Sequence, residues 1–62
     1  MNLRTAIVYN SNGQGTQVVF SGETTPTTKR YMRLGNYVPV VNDRVLMAWM
    51  NGTYVILGKV VN

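Results

Sequence analysis

The chain divides into short runs of apolar and β-branched residues that are separated by clusters of turn-forming residues. The first run, 5–9, is followed by the glycine-containing segment 10–15, and the second run, 16–20, ends at a Ser-Gly pair. No window shows the 3.6-residue repeat of an amphipathic helix. The pattern predicts short antiparallel strands, with segment 10–15 as the loop of a first hairpin.

The middle of the chain carries one further strand pattern between two stretches that interrupt strands. The polar segment 23–28 includes Pro26, which has no backbone donor, and it predicts an exposed, mobile loop. The alternating run 29–34 predicts a third strand. Segment 37–43 contains Pro39 and an Asn-Asp corner, so it predicts an extended connector whose valines close one end of the core.

The last third of the chain carries the clearest pattern. Apolar runs at 44–50 and 53–60 are separated by Asn51-Gly52, a dipeptide typical of the two-residue type I′ hairpin. Five short strands without a helix predict an all-β fold. We expect a small five-stranded OB/SH3-like barrel that spans residues 1–62 as a single domain and ends in this C-terminal hairpin.

The two faces of this hairpin predict how the chain assembles. A two-residue turn places Trp49 opposite Tyr54, both in the core, and Arg44 opposite Lys59. The core face also carries Val45, Met47 and Ile56. The other face is apolar too, through Leu46, Ala48, Val55 and Leu57. Because a small barrel has one interior, we expect this second face to form a homo-oligomer interface, unless the threonine-rich loop or the connector covers it.

Composition narrows the classes of function. The 62 residues include six Lys plus Arg, two Asp plus Glu and no His or Cys, for a net charge of +4. Without thiol or imidazole, and with Glu23 and Asp43 far apart in sequence, the chain predicts no enzyme, no cofactor and no metal site. No apolar stretch approaches the ~20 residues of a membrane span, and no secretory signal is apparent. We therefore expect a soluble chain with no membrane partner.

The positive charge keeps a nucleic-acid-binding function open as the alternative. Lys29, Tyr31 and Arg33 fall on one side of the predicted third strand. Basic side chains beside an aromatic ring are what single-stranded nucleic acid requires. The same arrangement is common on ordinary solvated strand faces, so these three residues are candidate contacts and not a motif.

Residues 29–61 combine motifs that resemble a known group of proteins. These motifs are Tyr37-Val38-Pro39, the corner Asn42-Asp43-Arg44-Val45-Leu46 and the ending Val55-Ile56-Leu57-Gly58. They resemble the small OB-like β-barrel modules encoded in tail and baseplate gene clusters of tailed bacteriophages and prophages of Gram-positive hosts. Asn42 stands where these modules usually carry glycine, and Asn tolerates the left-handed conformation better than other non-glycine residues.

The resemblance implies a structural role in virion assembly, as a trimer or a hexameric ring, and it transfers no catalytic residue. It implies other phage tail or assembly proteins as partners. The expected location is the host cytoplasm during assembly, with the virion as the end point for a structural component. Some small ring-forming phage proteins are assembly chaperones, and the sequence does not separate that role from a virion component.

Overall fold

The computed structural model describes residues 2–35 and 37–61, and its fold is all-β. The strands are β1 (Leu3–Asn12), β2 (Gly15–Phe20), β3 (Met32–Arg33), β4 (Arg44–Met50) and β5 (Thr53–Lys59). They form one sheet in the order β2-β1-β4-β5-β3, in which only the β3–β5 pair is parallel. The predicted all-β class is confirmed. Within the described ranges there is no helix that could cross a bilayer.

The sheet is not closed by a continuous ladder of strand pairs. Among the described residues, its two edges meet at one isolated bridge, where Thr16 of β2 exchanges backbone hydrogen bonds of 2.8 and 3.0 Å with Tyr31. The predicted strand 29–34 is shortened to β3 because Tyr31 pairs with β2, whereas the two residues after it pair with β5. The sheet therefore wraps around its core and joins itself at a single point.

The first hairpin is longer than the sequence pattern predicts. β1 continues through Asn12, so the predicted loop 10–15 is reduced to a turn at Gly13 and Gln14. The Asn12 side chain accepts a hydrogen bond of 2.8 Å from the Gln14 amide. Polar residues that favour turns can complete strands when a partner strand satisfies their backbone groups, which is why the prediction was too short here.

The second hairpin turns where the sequence predicts. Asn51 and Gly52 have φ angles of 50° and 85°, the two positive values that a type I′ turn requires. Trp49 lies opposite Tyr54, as expected. The predicted C-terminal hairpin is therefore confirmed from its turn to the middle of both strands.

A β-bulge at Leu57 changes the pairing in the second half of this hairpin. The extra residue displaces β5 by one position relative to β4. Lys59 consequently lies opposite Val45, and the predicted like-charge pair of Arg44 with Lys59 is wrong. The Lys59 ammonium instead lies 3.3 Å from a carboxylate oxygen of Asp43.

The core occupies the inner face of the sheet. Its buried side chains come from four strands, namely Ala6, Val8, Val18, Phe20, Val45, Met47 and Ile56. The last three of these were predicted as core residues of the C-terminal hairpin. Trp49 was predicted among them but is 46% exposed. It lies next to the turn, where β4 extends past the packed interior.

The connector 37–43 is extended and contains no strand, but its valines do not close the core. Val38, Val40 and Val41 are 70%, 58% and 54% exposed, whereas Pro39 is buried. The expectation that the valines fill one end of the core is therefore wrong. Pro39 takes the inward position, and the following turn leaves the valines on the surface.

The threonine-rich loop 23–28 is exposed over most of its length but is attached to β2 through Thr27. The Thr27 amide donates to the Val18 carbonyl at 2.8 Å, and the Val18 amide donates to the Thr27 hydroxyl at 3.2 Å. The Glu23 amide donates to the Phe20 carbonyl at 2.9 Å. The loop thus covers the outer edge of β2 with the chain's own polar groups.

Candidate interaction surfaces

An apolar row crosses four strands on the outer face of the sheet. Leu3 of β1 lies opposite Ala48, and Ala48 lies opposite Val55. Val55 in turn lies opposite Met32 of β3. The two ends of this outer row, Leu3 and Met32, are 54% and 67% exposed. Ala48, in the middle of the row, is buried, so the apolar surface that the row leaves to solvent lies mainly at its two ends.

Three of the four predicted interface residues lie on this outer face by strand register, namely Leu46, Ala48 and Val55, whereas Leu57 is the bulge residue and has no pairing partner. Ala48 is buried by its neighbours, and the other three are half-buried. Leu3 and Met32, which sequence reasoning missed, are more exposed than any of the four predicted interface residues. Their membership depends on strand order, since β1 and β3 flank the hairpin only after the sheet has formed.

The backbone of the β2 edge is occupied by the chain itself. The backbone amide and carbonyl of Thr16 form hydrogen bonds with Tyr31, and those of Val18 form hydrogen bonds with Thr27. A partner that adds a strand to a sheet needs such groups free. Partners at this side of the molecule must therefore use side-chain surfaces rather than backbone pairing.

Aromatic rings form a second surface at the hairpin end of the inner face. The Trp49 and Tyr54 rings meet edge to face with centroids 5.1 Å apart, and Tyr31 lies 6.3 Å from Tyr54. Phe20 is buried against both tyrosines, at 5.3 and 5.9 Å. We call Trp49, Tyr54 and Tyr31 the aromatic row. All three of its rings are partly exposed.

Arg4 of β1 joins this aromatic surface. Its guanidinium carbon lies 4.0 Å from the Phe20 ring centroid and 6.0 Å from that of Tyr54. One of its nitrogens lies 3.4 Å from the Glu23 carboxylate. Sequence reasoning missed Arg4 because the contact joins residues from separate strands, and no local spacing signals it.

The predicted basic group of Lys29, Tyr31 and Arg33 is divided between two environments. The Lys29 ammonium lies 5.7 Å from the centroid of the Tyr31 ring. The Arg33 guanidinium donates to the carbonyl oxygen of Tyr37 at 2.9 Å, so the connector holds it. Lys29 and Tyr31 are therefore brought together, while Arg33 is engaged elsewhere.

The Asn42-Asp43 corner ties the connector to the end of the sheet. Asn42 has a φ of 77°, the left-handed conformation that we expected of it. The Tyr37 hydroxyl donates to Asp43 at 2.8 Å, and this hydrogen bond, together with Lys59, lowers the pKa of Asp43. Burial and the same carboxylate raise the pKa of Tyr37 to about 12. These groups satisfy one another, which is typical of a structural corner.

A groove of about 300 Å³ lies between the first hairpin turn and the bridge to β3. Its walls include Asn12, Gly15 and Tyr31, and none of its lining residues is an acid, a histidine or a cysteine. The described part of the chain contains no group of three or more side chains suited to holding a metal ion.

Comparisons with known protein families, with curated proteins and with solved structures find no match to this chain. The likeness to phage tail modules therefore rests on the sequence motifs. To these motifs the structure adds two partly exposed surfaces, the outer row and the aromatic row.

Proposed function

We propose that this chain is a non-enzymatic structural or assembly module that works as a closed ring of identical copies. The biological setting is the one that its motifs imply, assembly of the tail or baseplate of a tailed bacteriophage. The observation that carries the self-association is the outer row, in which Leu3 and Met32 remain more than half exposed at either end of an apolar stripe.

A ring also needs a second surface, because its interface joins two different patches of neighbouring copies. The exposed valines of the connector supply one: Val38, Val40 and Val41. They lie in the connector, whose far end is tied to β1 where the Asn42 amide donates to the Val8 carbonyl, and none of them belongs to the outer row. The chain thus presents two separate apolar patches of the kind that a head-to-tail contact uses.

The size of the apolar contribution supports association. Fully burying one Leu, Val or Met side chain contributes roughly 1.5–3 kcal/mol. Leu3, Met32 and the three connector valines are each more than half exposed, so covering them contributes several kcal/mol. That is large beside the few kcal/mol that hold a domain of this size together.

Matched charge substitutions test this proposal. We expect native mass spectrometry and sedimentation at about micromolar concentration to show one discrete oligomer, a trimer or a hexamer. Met32→Asp on the outer row and Val40→Asp on the connector should each give monomers. Thr24→Asp is the control, since Thr24 is exposed in the loop 23–28 and belongs to neither patch.

Mixing the two monomeric variants separates a ring from a two-fold dimer. Met32→Asp retains an intact connector patch, and Val40→Asp retains an intact outer row, so an equimolar mixture should form a heterodimer through one native contact. A wild-type protein that stays monomeric would contradict self-association. A dimer that Met32→Asp disrupts and Val40→Asp leaves intact would contradict the ring. Presence or absence of the protein in purified particles distinguishes a virion component from an assembly chaperone.

A further inference from the structure

The aromatic row is not used by the proposed ring, so that assembly does not explain why its rings are exposed. Trp49 shares the inner face with Met47, which is fully buried, yet it remains 46% exposed. The Trp49 ring packs edge to face against the Tyr54 ring. The aromatic row therefore exposes ring surface to solvent at the hairpin end of the core.

The distribution of charge indicates what this surface attracts. Of the six cationic side chains, Arg4 and Lys59 pair with the two acids of the chain. Three of the remaining four lie within residues 29–33, which include Tyr31 of the aromatic row. Two of these three, Lys29 and Arg30, directly precede Tyr31 of the aromatic row, whereas the connector holds Arg33.

The side chains around Tyr31 are also held in place. Lys29 lies over the Tyr31 ring at 5.7 Å, and Arg30 donates to the Gly15 carbonyl at 3.2 Å. Tyr31 itself is fixed by its bridge to Thr16. Contacts that restrict side chains in the free protein reduce the conformational freedom that is lost when a ligand binds.

We propose that the aromatic row binds single-stranded nucleic acid. Bases stack on the exposed ring of Trp49, and Lys29 and Arg30, which directly precede Tyr31, neutralise the backbone phosphates. Rings alone would also suit a saccharide, but a neutral sugar gains nothing from the cations that flank the row. Of the three residues predicted from the sequence, this interface keeps Lys29 and Tyr31, omits Arg33, which the connector holds, and adds Trp49 and Arg30. It is independent of the ring.

Trp49 provides a direct readout, since it is the only tryptophan of the chain. We expect an unlabelled oligothymidylate of about 15 nucleotides to quench Trp49 fluorescence, and a fluorescein-labelled one to bind with an affinity that falls steeply between about 50 and 200 mM salt. The duplex of the same length should bind more weakly, because its bases are not free to stack.

Two variants with controls assign the contacts. Trp49→Leu should weaken binding of the labelled oligonucleotide about 5- to 150-fold, the range expected for one lost stacking contact. Tyr9→Leu, at a ring that is 53% exposed on the first hairpin, should not. Lys29→Gln should flatten the salt dependence by about 0.7 in the log–log slope, while Arg44→Gln at the other end of β4 should leave it unchanged. Circular dichroism checks that each variant is folded.

Three results would overturn the proposal. The first is the absence of salt-dependent oligonucleotide binding by the folded protein. The second is equal affinity of Trp49→Leu and Tyr9→Leu for the oligonucleotide, which would show that binding depends on charge and not on stacking against Trp49. The third is quenching of Trp49 by a neutral oligosaccharide and not by the oligonucleotide, which would make the row a saccharide site.

Discussion

Replacing Gly15 with alanine tests how the two edges of the sheet are joined. Gly15 has a φ of 130°, a backbone conformation that residues with a side chain rarely adopt. A Cβ atom at this position would lie 2.9 Å from the Cβ atom of Arg30 and 3.2 Å from the carbonyl oxygen of Tyr31. Neither neighbour is the free end of a flexible side chain, so the strand or the bridge must shift.

The loss of stability depends on which of two ways the structure responds. If the bridge persists, the strained backbone at Gly15→Ala costs about 1–3 kcal/mol. If the bridge opens, two backbone hydrogen bonds between Thr16 and Tyr31 are lost, each contributing about 0.5–1.5 kcal/mol. Both routes predict a decrease of about 1–3 kcal/mol in the free energy of unfolding, since the chain takes the less costly one.

Urea unfolding followed by circular dichroism measures this decrease, and hydrogen exchange locates it. The amides of Thr16 and Tyr31 should exchange faster in Gly15→Ala. Gly13→Ala is the matched control, because an added Cβ there meets no atom within 4 Å, and its stability should stay within about 0.5 kcal/mol of the wild type. Equal stability of the two variants, with unchanged protection at Thr16 and Tyr31, would show that the close approach at Gly15 does not join the edges.

The same unfolding assay checks four further expectations. Asn42→Val should lower stability by about 1–2 kcal/mol because a β-branched residue resists the left-handed conformation, whereas Asn42→Gly should be tolerated; equal losses would contradict this. Because the pKa of Asp43 is lowered in the folded state, ionised Asp43 stabilises the fold above its ordinary pKa of 3.8, and this stabilisation is lost as the pH falls through the lower folded value. Asp43→Asn should therefore weaken the loss of stability at acid pH, and an unchanged acid loss would contradict this role of Asp43. Because the pKa of Tyr37 is raised to about 12 in the folded state, the protonated Tyr37 hydroxyl stabilises the fold below pH 10.0, and this stabilisation is lost between pH 10.0 and about 12. Tyr37→Phe should remove this alkaline loss of stability, and a variant that still shows the loss would contradict the role of Tyr37. Met47→Ala should destabilise the core by about 2–5 kcal/mol, and a smaller loss would mean that the core collapses around the cavity.

The positions of the hairpins were predictable because their signals are local. Gly adopts positive φ without steric cost and Asn tolerates it better than most residues, so Asn51-Gly52 marks a turn, and Asn42 accepts the same conformation at its corner. The all-β class could be predicted from short β-branched runs and regular turns. Shortening of the third strand was not predictable, because it depends on Tyr31 finding a partner in β2.

The outer row and the aromatic row show the same difference between what local sequence predicts and what strand pairing decides. The apolar character of Leu46, Val55 and Leu57 was evident from alternation along the C-terminal hairpin, but Leu3 and Met32 join that face only through their pairing partners. The aromatic row collects rings from β4, β5 and the residue before β3. No spacing in the sequence foretells that grouping, since residues distant in sequence meet only when the sheet wraps.

Local sequence was enough to establish the all-β class and the turn of the C-terminal hairpin, because turn propensity and side-chain alternation act over a few neighbouring residues. Tertiary packing was needed for the bulge that separates Lys59 from Arg44, the exposure of Trp49 and of the connector valines, and the bridge at Thr16. Those features arise where strands compete for the same backbone groups and the same interior volume, and that competition involves the whole chain.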